Sequence, residues 1–152
     1  MTNPFTFSPE LSEFPSNLSL DGGKTAILCD SNSLQHCWPK IGEDDAFAEA
    51  EIIELDPGEE GKSYEMVTQL WQVLIDHDFG RNDTLICLGG GVITDLGGFI
   101  GSTFKRGIRT YHIPTSLLAM VDASIGGKTG INFGGFKNQI GTFNGLIKTF
   151  IC

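Results

Sequence analysis

Apolar runs and amphipathic segments alternate along most of the chain. Lys24 to Cys29 is a short apolar run ending at Asp30-Ser31-Asn32-Ser33, which predicts a buried strand leading into a capped turn. Leu34 to Trp38 predicts a single helical turn stopped by Pro39, and Glu51 to Leu55 a second strand closed by Asp56-Pro57-Gly58. Met66, Val67, Leu70, Trp71, Leu74 and Ile75 then recur at the spacing of one helix face, with Ser63 placed to cap it. Gly80-Arg81-Asn82-Asp83 turns the chain into the strand Thr84 to Leu88. Strand, helix and strand at these lengths form a βαβ unit, which requires parallel strands. Val92 to Phe104 predicts a helix despite Gly97, Gly98 and Gly101. Each glycine costs about 1 kcal/mol relative to alanine there, so close packing of helix on sheet must offset them. Arg109 to Ile113 is a further strand ended by Pro114, Thr115 to Val121 a short helix, and the glycine density from Ser124 onward predicts loops. The expected fold class is α/β, a parallel-sheet Rossmann-like domain over residues 24–152. Residues 1–23, with Pro4, Pro9 and Pro15, are expected to be a lead-in with one edge strand around Phe5 to Phe7.

A length of 152 residues suits one domain, and 40% apolar residues with 20 glycines fit a globular protein rich in tight backbone positions. No run approaches the ~18 apolar residues of a membrane span, and no basic, then apolar leader opens the chain. A cytoplasmic protein is expected. Cys29, Cys37, Cys87 and Cys152 show no metal-ligand spacing; Cys29 and Cys87 sit in apolar runs and read as inert core thiols. The net charge of −9 argues against nucleic acid or an anionic membrane as partner. Its distribution is uneven. Met1 to Phe104 carries 4 Lys/Arg against 18 Asp/Glu, a balance of −14, whereas Lys105 to Cys152 carries 6 against 1, a balance of +5. Cations spaced among glycines in that second part suit a phosphorylated or carboxylated small molecule.

The candidate chemistry lies between Leu85 and Asn138. The strand Leu85 to Leu88 runs into Gly89-Gly90-Gly91 and then a helix, which brings backbone N–H groups towards a phosphate. Asp95, Arg106, Asp122, Lys128, Lys137 and Asn138 are spaced among small residues after it. The dinucleotide fingerprint G-x-G-x-x-G is not met, because Thr94 stands at its last position. The triphosphate loop is not met either: Gly127-Lys128-Thr129 matches its end, but Asp122 occupies the position of its first glycine. A glycine turn able to accept a pyrophosphate remains, with Asp95 one helical turn further on. Asp30, just past a strand end, either meets a ribose hydroxyl or caps a turn.

Gly89-Gly90-Gly91-Val92 with Asp95, Arg106-Gly107, Pro114-Thr115-Ser116-Leu117-Leu118, the run from Val121 to Thr129, and Lys137-Asn138-Gln139-Ile140-Gly141 resemble the N-terminal domain of the 3-dehydroquinate synthases, over roughly Lys24 to Phe143. The family consists of NAD- and metal-dependent cyclases of the shikimate pathway. The resemblance implies that Asp30, Glu59 and Lys62 hold the adenosine side of NAD. It implies that Gly90, Gly91, Val92 and Asp95 line the pyrophosphate and the nicotinamide-side ribose, and that Thr115, Ser116 and Leu118 also touch NAD. Asp122, Lys128, Lys137 and Asn138 match positions that orient substrate and cofactor. Arg106 matches an arginine reaching the substrate phosphate from a neighbouring subunit, which implies a homodimer. The implied reaction converts 3-deoxy-D-arabino-heptulosonate 7-phosphate to 3-dehydroquinate and phosphate. It passes through transient oxidation of a hydroxyl, loss of phosphate and an aldol closure.

Ser116 stands where threonine is commoner. After Asn144 the family soon reaches a proline, whereas Gly145 to Cys152 follows here. The glutamate and two histidines that bind the family's divalent metal, zinc or cobalt, and the helical second domain are not within the sequence. His36, His77 and His112 have no partners at ligand spacing, so no metal residues are assigned. The chain is therefore expected to be the cofactor-binding part of such a synthase, inactive alone. The alternatives are a cyclitol-forming cyclase of the same superfamily and a catalytically inactive NAD-binding module.

Overall fold

The computed structural model describes residues 5–7, 10, 13–15, 18, 20 and 23–152. Most of the expected lead-in, Pro4 and Pro9 included, lies outside the described residues. Strands β1 (Phe5–Phe7), β2 (Thr25–Asp30), β3 (Glu51–Leu55), β4 (Thr84–Gly89), β5 (Arg109–Pro114) and β8 (Lys148–Ile151) form one sheet in the order β1-β8-β5-β4-β2-β3. Every pairing in it is parallel. Strands β6 (Ile131–Phe133) and β7 (Phe136–Ile140) form a separate antiparallel hairpin.

The central strand β4 is buried along its whole length, as expected of a parallel strand covered on both faces. Its side chains alternate between two cores. Leu85 and Cys87, with Ala26 and Leu28 of β2, face helices α2 (Tyr64–Asp76) and α3 (Gly91–Thr103). Ile86 and Leu88, with Ile27 and Cys29, face a second core that contains Phe47, Tyr111, Ile113 and Phe150. Phe14 completes that core at 1% exposure, its ring 5.1 Å from Phe150 and 6.2 Å from Phe47. The segment expected to be a lead-in with one edge strand thus also supplies a buried aromatic side chain.

Helix α2 begins at its capping Ser63, whose hydroxyl accepts from the Met66 N–H, and buries Val67, Leu70 and Leu74. Ile75 was placed on the same face by its spacing but is half exposed. Helix α1 (Ser31–His36) starts earlier than the pattern indicates, because Asp30 and Ser33 form a reciprocal capping box. Past Ser124 the chain is not all loop. The hairpin β6–β7 and strand β8 form there, and β8 inserts between β5 and β1.

Helix α3 lies on the sheet through its glycines. A Cβ at Gly97 would stand 2.3 Å from Cys87 Sγ, and one at Gly101 2.0 Å from Thr110 Oγ1. Burial raises the Cys29 thiol to about 12 and also pushes Cys87 upward, so both are inert at neutral pH.

His112 of β5 is buried, and neither ring nitrogen has a hydrogen-bond partner among the described residues. Burial pushes its pKa down to about 3. Below pH ~6.5 the unfolded chain therefore binds a proton that the folded chain refuses. The stability from this group is full above that pH and is lost on acidification, at about 1.4 kcal/mol per pH unit towards pH 3. Urea unfolding at pH 7.5, 6.5 and 5.5 should show the wild type losing stability faster than His112→Leu. Parallel pH slopes in the two proteins would contradict this.

Candidate active site

The carboxyl ends of β2, β4 and β5 meet where α3 begins. Gly89 closes β4, and its carbonyl accepts the Thr115 N–H at 2.9 Å, tying the exit of β5 to that of β4. Gly90 caps α3 without any side-chain hydrogen bond, whereas α1 and α2 are capped by Asp30 and Ser63. The first N–H groups of α3 are thus left to an external acceptor. Gly90 has φ −76° and Gly91 is helical, so neither conformation demands glycine. A Cβ at either would meet nothing nearer than 3.5 Å, from Ser116 or Ala123. Packing within the protein does not require glycine at either position.

Beside this turn Asp95, Asp122, Ala123, Lys128, Thr129, Gly130 and Asn138 line one cavity of about 230 Å³. Asp95 projects from the second turn of α3. Asp122 comes from a wide π-helical turn (Ala119–Ala123), where a short helix was expected to end at Val121. There the Ser124 N–H donates to the Ala119 carbonyl, five residues back, at 3.0 Å. Lys128 forms an ion pair with Asp122, and both remain solvent-accessible. Gly126 and Gly127, at φ +79° and +65°, reverse the chain between them. A side chain at Gly127 would collide with the Asn144 carbonyl, 2.2 Å away. Asn138 sits in β7 with φ +53°, the left-handed region that asparagine tolerates. Its N–H donates to Asn132 Oδ1 at 3.1 Å.

Lys62 joins these pieces. It lies just before α2, is 4% exposed, and donates from Nζ to Asp95 Oδ2 and to Asn138 Oδ1, each at 2.5 Å. A buried ammonium needs such acceptors to offset its lost hydration. Burial raises the Asp95 carboxyl above its ordinary range, with Lys62 and Lys128 opposing the rise. Glu59 takes a different partner, Lys137, at 3.3 Å, and accepts from Asn132 Nδ2 at 3.4 Å. Burial alone would raise the Glu59 carboxyl, but the bonds from Asn132 and Lys137 hold it below its usual range.

The structure therefore gathers Asp95, Asp122, Lys128 and Asn138 into one cleft, with Gly90, Gly91 and Ser116 at its helix-start side. Lys62 stands with Asp95 rather than with Asp30, whose carboxylate accepts from the Ser33 N–H at 2.8 Å. Leu118 is largely exposed. Arg106 lies elsewhere. Beyond the end of α3 it lines a second cavity, of about 520 Å³, together with Arg81 and Arg109. Thr129, at the end of the motif run, lines the cleft as well while bonding Thr142 Oγ1 at 2.7 Å. Among the described residues no group of three or more His, Cys, Asp or Glu could hold a metal ion. No helix of the described residues is long and apolar enough to cross a membrane.

A parallel α/β sheet whose strand ends open on a bare glycine turn at a helix start, beside a cleft of cations and carboxylates, is a Rossmann-like domain. The family model described as 3-dehydroquinate synthase N-terminal matches residues 52–151, and the chain belongs to that family. A 3-dehydroquinate synthase of Parabacteroides distasonis is 47% identical over 142 residues, covering 93% of this chain and 40% of the relative. One of Pyrococcus abyssi is 48% identical, covering 90% of this chain and 41% of the relative. The chain thus spans well under half the length of these curated relatives. Among solved structures, 2-deoxy-scyllo-inosose synthase complexed with carbaglucose-6-phosphate, NAD+ and Co2+ superposes with a TM-score of 0.81 at 25% identity, covering 97% of this chain and 42% of that one. A 2-epi-5-epi-valiolone synthase from Streptomyces hygroscopicus with NAD+ and Zn2+ bound gives 0.80 at 27% identity, covering 99% and 43%.

Proposed function

We propose that this chain is the cofactor-binding part of a 3-dehydroquinate synthase and that its cleft takes NAD. The observation that carries the reading is the turn Gly89 to Gly91. It has neither a side-chain cap nor a packing need for glycine at 90 and 91, and it adjoins a cleft holding Asp95, Asp122, Lys128 and Asn138. In this reading the first N–H groups of α3 bind the pyrophosphate, Asp95 takes a ribose hydroxyl, and Thr115, Ser116 and Leu118 flank the nucleotide. Asp30 and Glu59 meet the adenosine side, and Lys137, paired with Glu59, helps to orient substrate and cofactor. Bound NAD supplies a transient acceptor for hydride from the substrate hydroxyl. Lys128, oriented by Asp122, places a positive charge where oxyanion or phosphate charge develops. Holding the reactants in register is the larger part of what these residues contribute.

The substrate is 3-deoxy-D-arabino-heptulosonate 7-phosphate and the product 3-dehydroquinate, in a homodimer located in the cytoplasm. Arg106 lies beyond the end of α3, after the chain has left the helix, and lines a different cavity. That placement suits action on a neighbouring subunit's substrate rather than on its own. Zinc or cobalt belongs in this proposal to the longer enzyme, and no step is routed through it here. The sequence identity of 47% to a dehydroquinate synthase, against 25% and 27% to the cyclitol-type enzymes, favours the dehydroquinate product.

Isothermal titration of the isolated chain with NAD, with and without zinc, tests the reading. One NAD per chain, indifferent to zinc, and no dehydroquinate formed are expected. Stoichiometric zinc binding, or no heat with NAD, would overturn it.

A further inference from the structure

We infer that Asn144 is a positioning residue: its side chain pins the bend at Gly127 to the last turn of α3, and so fixes where Lys128 stands in the cleft. The task given to Lys128 rests on the reading above; the way the lysine is held goes beyond it.

Lys128 lies outside every helix and strand. It follows the left-handed bend Gly126-Gly127 and stands opposite Phe143 in an isolated antiparallel bridge. Two backbone bonds close that bridge. The Asn144 N–H donates to the Gly127 carbonyl at 2.7 Å, and the Thr129 N–H donates to the Thr142 carbonyl at 2.9 Å. A side chain at Gly127 would collide with the Asn144 carbonyl, so the two backbones are in direct contact. The lysine therefore goes where the stretch from Thr142 to Asn144 goes.

Apolar packing does not hold that stretch. Phe143 and Leu146 are 90% and 86% exposed, and a Cβ at Gly145 would meet nothing within 4 Å. The amide of Asn144 holds it instead. Its Nδ2 donates to Ser102 Oγ at 2.9 Å, in the last turn of α3, and its Oδ1 accepts the Leu146 N–H at 3.0 Å. Only one orientation of the amide is allowed. The Ser102 hydroxyl has a single proton, which it gives to the Gly98 carbonyl at 2.6 Å, so towards Asn144 it can only accept. A reversed amide would set an oxygen against that oxygen and an amino group against the Leu146 N–H. Helix α3, which carries Asp95, is thereby the common reference for Asp95 and for Lys128.

The test is amide hydrogen exchange of the labelled, ligand-free chain read by NMR, with thermal melting, on the wild type, Asn144→Ala, Ser102→Ala and the double variant. Asn144→Ala removes both side-chain bonds but leaves the backbone ones free to form. It should speed exchange at the Thr129 amide about tenfold, as local loss of hydrogen bonds does, and move the Gly127 and Lys128 amide shifts. The amides at the start of α3 and the melting temperature should stay near those of the wild type. Ser102→Ala should have the same effect more weakly, and the double variant should be no worse than Asn144→Ala, because the two groups act as one contact. Unchanged exchange at Thr129 in Asn144→Ala, full additivity in the double variant, or a lowered melting temperature with protection lost evenly along the chain would overturn the inference. NAD binding by the wild type is a separate outcome: its absence would remove the cofactor reading and leave the exchange pattern standing.

Discussion

Replacing Gly97 with valine is expected to cost the domain about 3 kcal/mol or more, the upper part of what overpacking a core does. Helix α3 approaches β4 so closely that even a Cβ at this position would lie 2.3 Å from Cys87 Sγ and 3.1 Å from Leu28 Cδ2. Both neighbours belong to buried central strands that cannot yield without moving the sheet. The higher helix propensity of a non-glycine residue returns less than about 1 kcal/mol. The helix would have to lift, and its N-terminus would leave the cleft with it. Urea unfolding should show a lower midpoint at an unchanged slope, and an unshifted midpoint would mean that the helix does not rest on its glycines.

Gly90→Ala should do the reverse, leaving the fold intact and removing the ligand. Its φ of −76° suits alanine, and the new methyl would meet nothing closer than Ser116 Oγ at 3.5 Å. Stability should change by no more than about 0.5 kcal/mol, as at a site with no packing demand. The methyl would nonetheless occupy the space in which a pyrophosphate oxygen reaches the first N–H groups of α3. NAD affinity should fall at least tenfold, about 1.4 kcal/mol. A variant that is both stable and fully competent to bind would show that the nucleotide does not approach this turn.

The contrast between these glycines was only partly legible in the sequence. That Gly97, Gly98 and Gly101 need compensation follows from helix propensity alone, and the sheet beneath them supplies it. That Gly89 and Gly90 differ does not follow. A Cβ at Gly89 would strike the Ile93 side chain at 2.6 Å, whereas one at Gly90 would make only an ordinary contact with Ser116 Oγ at 3.5 Å, a difference that no local pattern records. The parallel strands β2 to β5 were readable because each is a short apolar run bounded by turn residues. Strand β8 was missed. Its signal, Thr149, Phe150 and Ile151, is β-branched and aromatic, but the strand spans only four residues after a glycine-rich stretch. Phe14 was missed because a single aromatic among prolines carries no period. Lys62 was placed by resemblance on the adenosine side. Its burial between Asp95 and Asn138 depends on contacts 33 and 76 residues apart, which no local pattern records.

Amide NMR of the labelled chain titrated with NAD measures most directly whether one cleft unites these residues. Saturating shifts should appear at Gly90, Gly91, Val92, Asp95, Asp122, Lys128 and Asn138 while Arg81 and Arg106 stay unmoved. Shifts centred on the arginine-lined cavity instead, or none at the start of α3, would contradict the account.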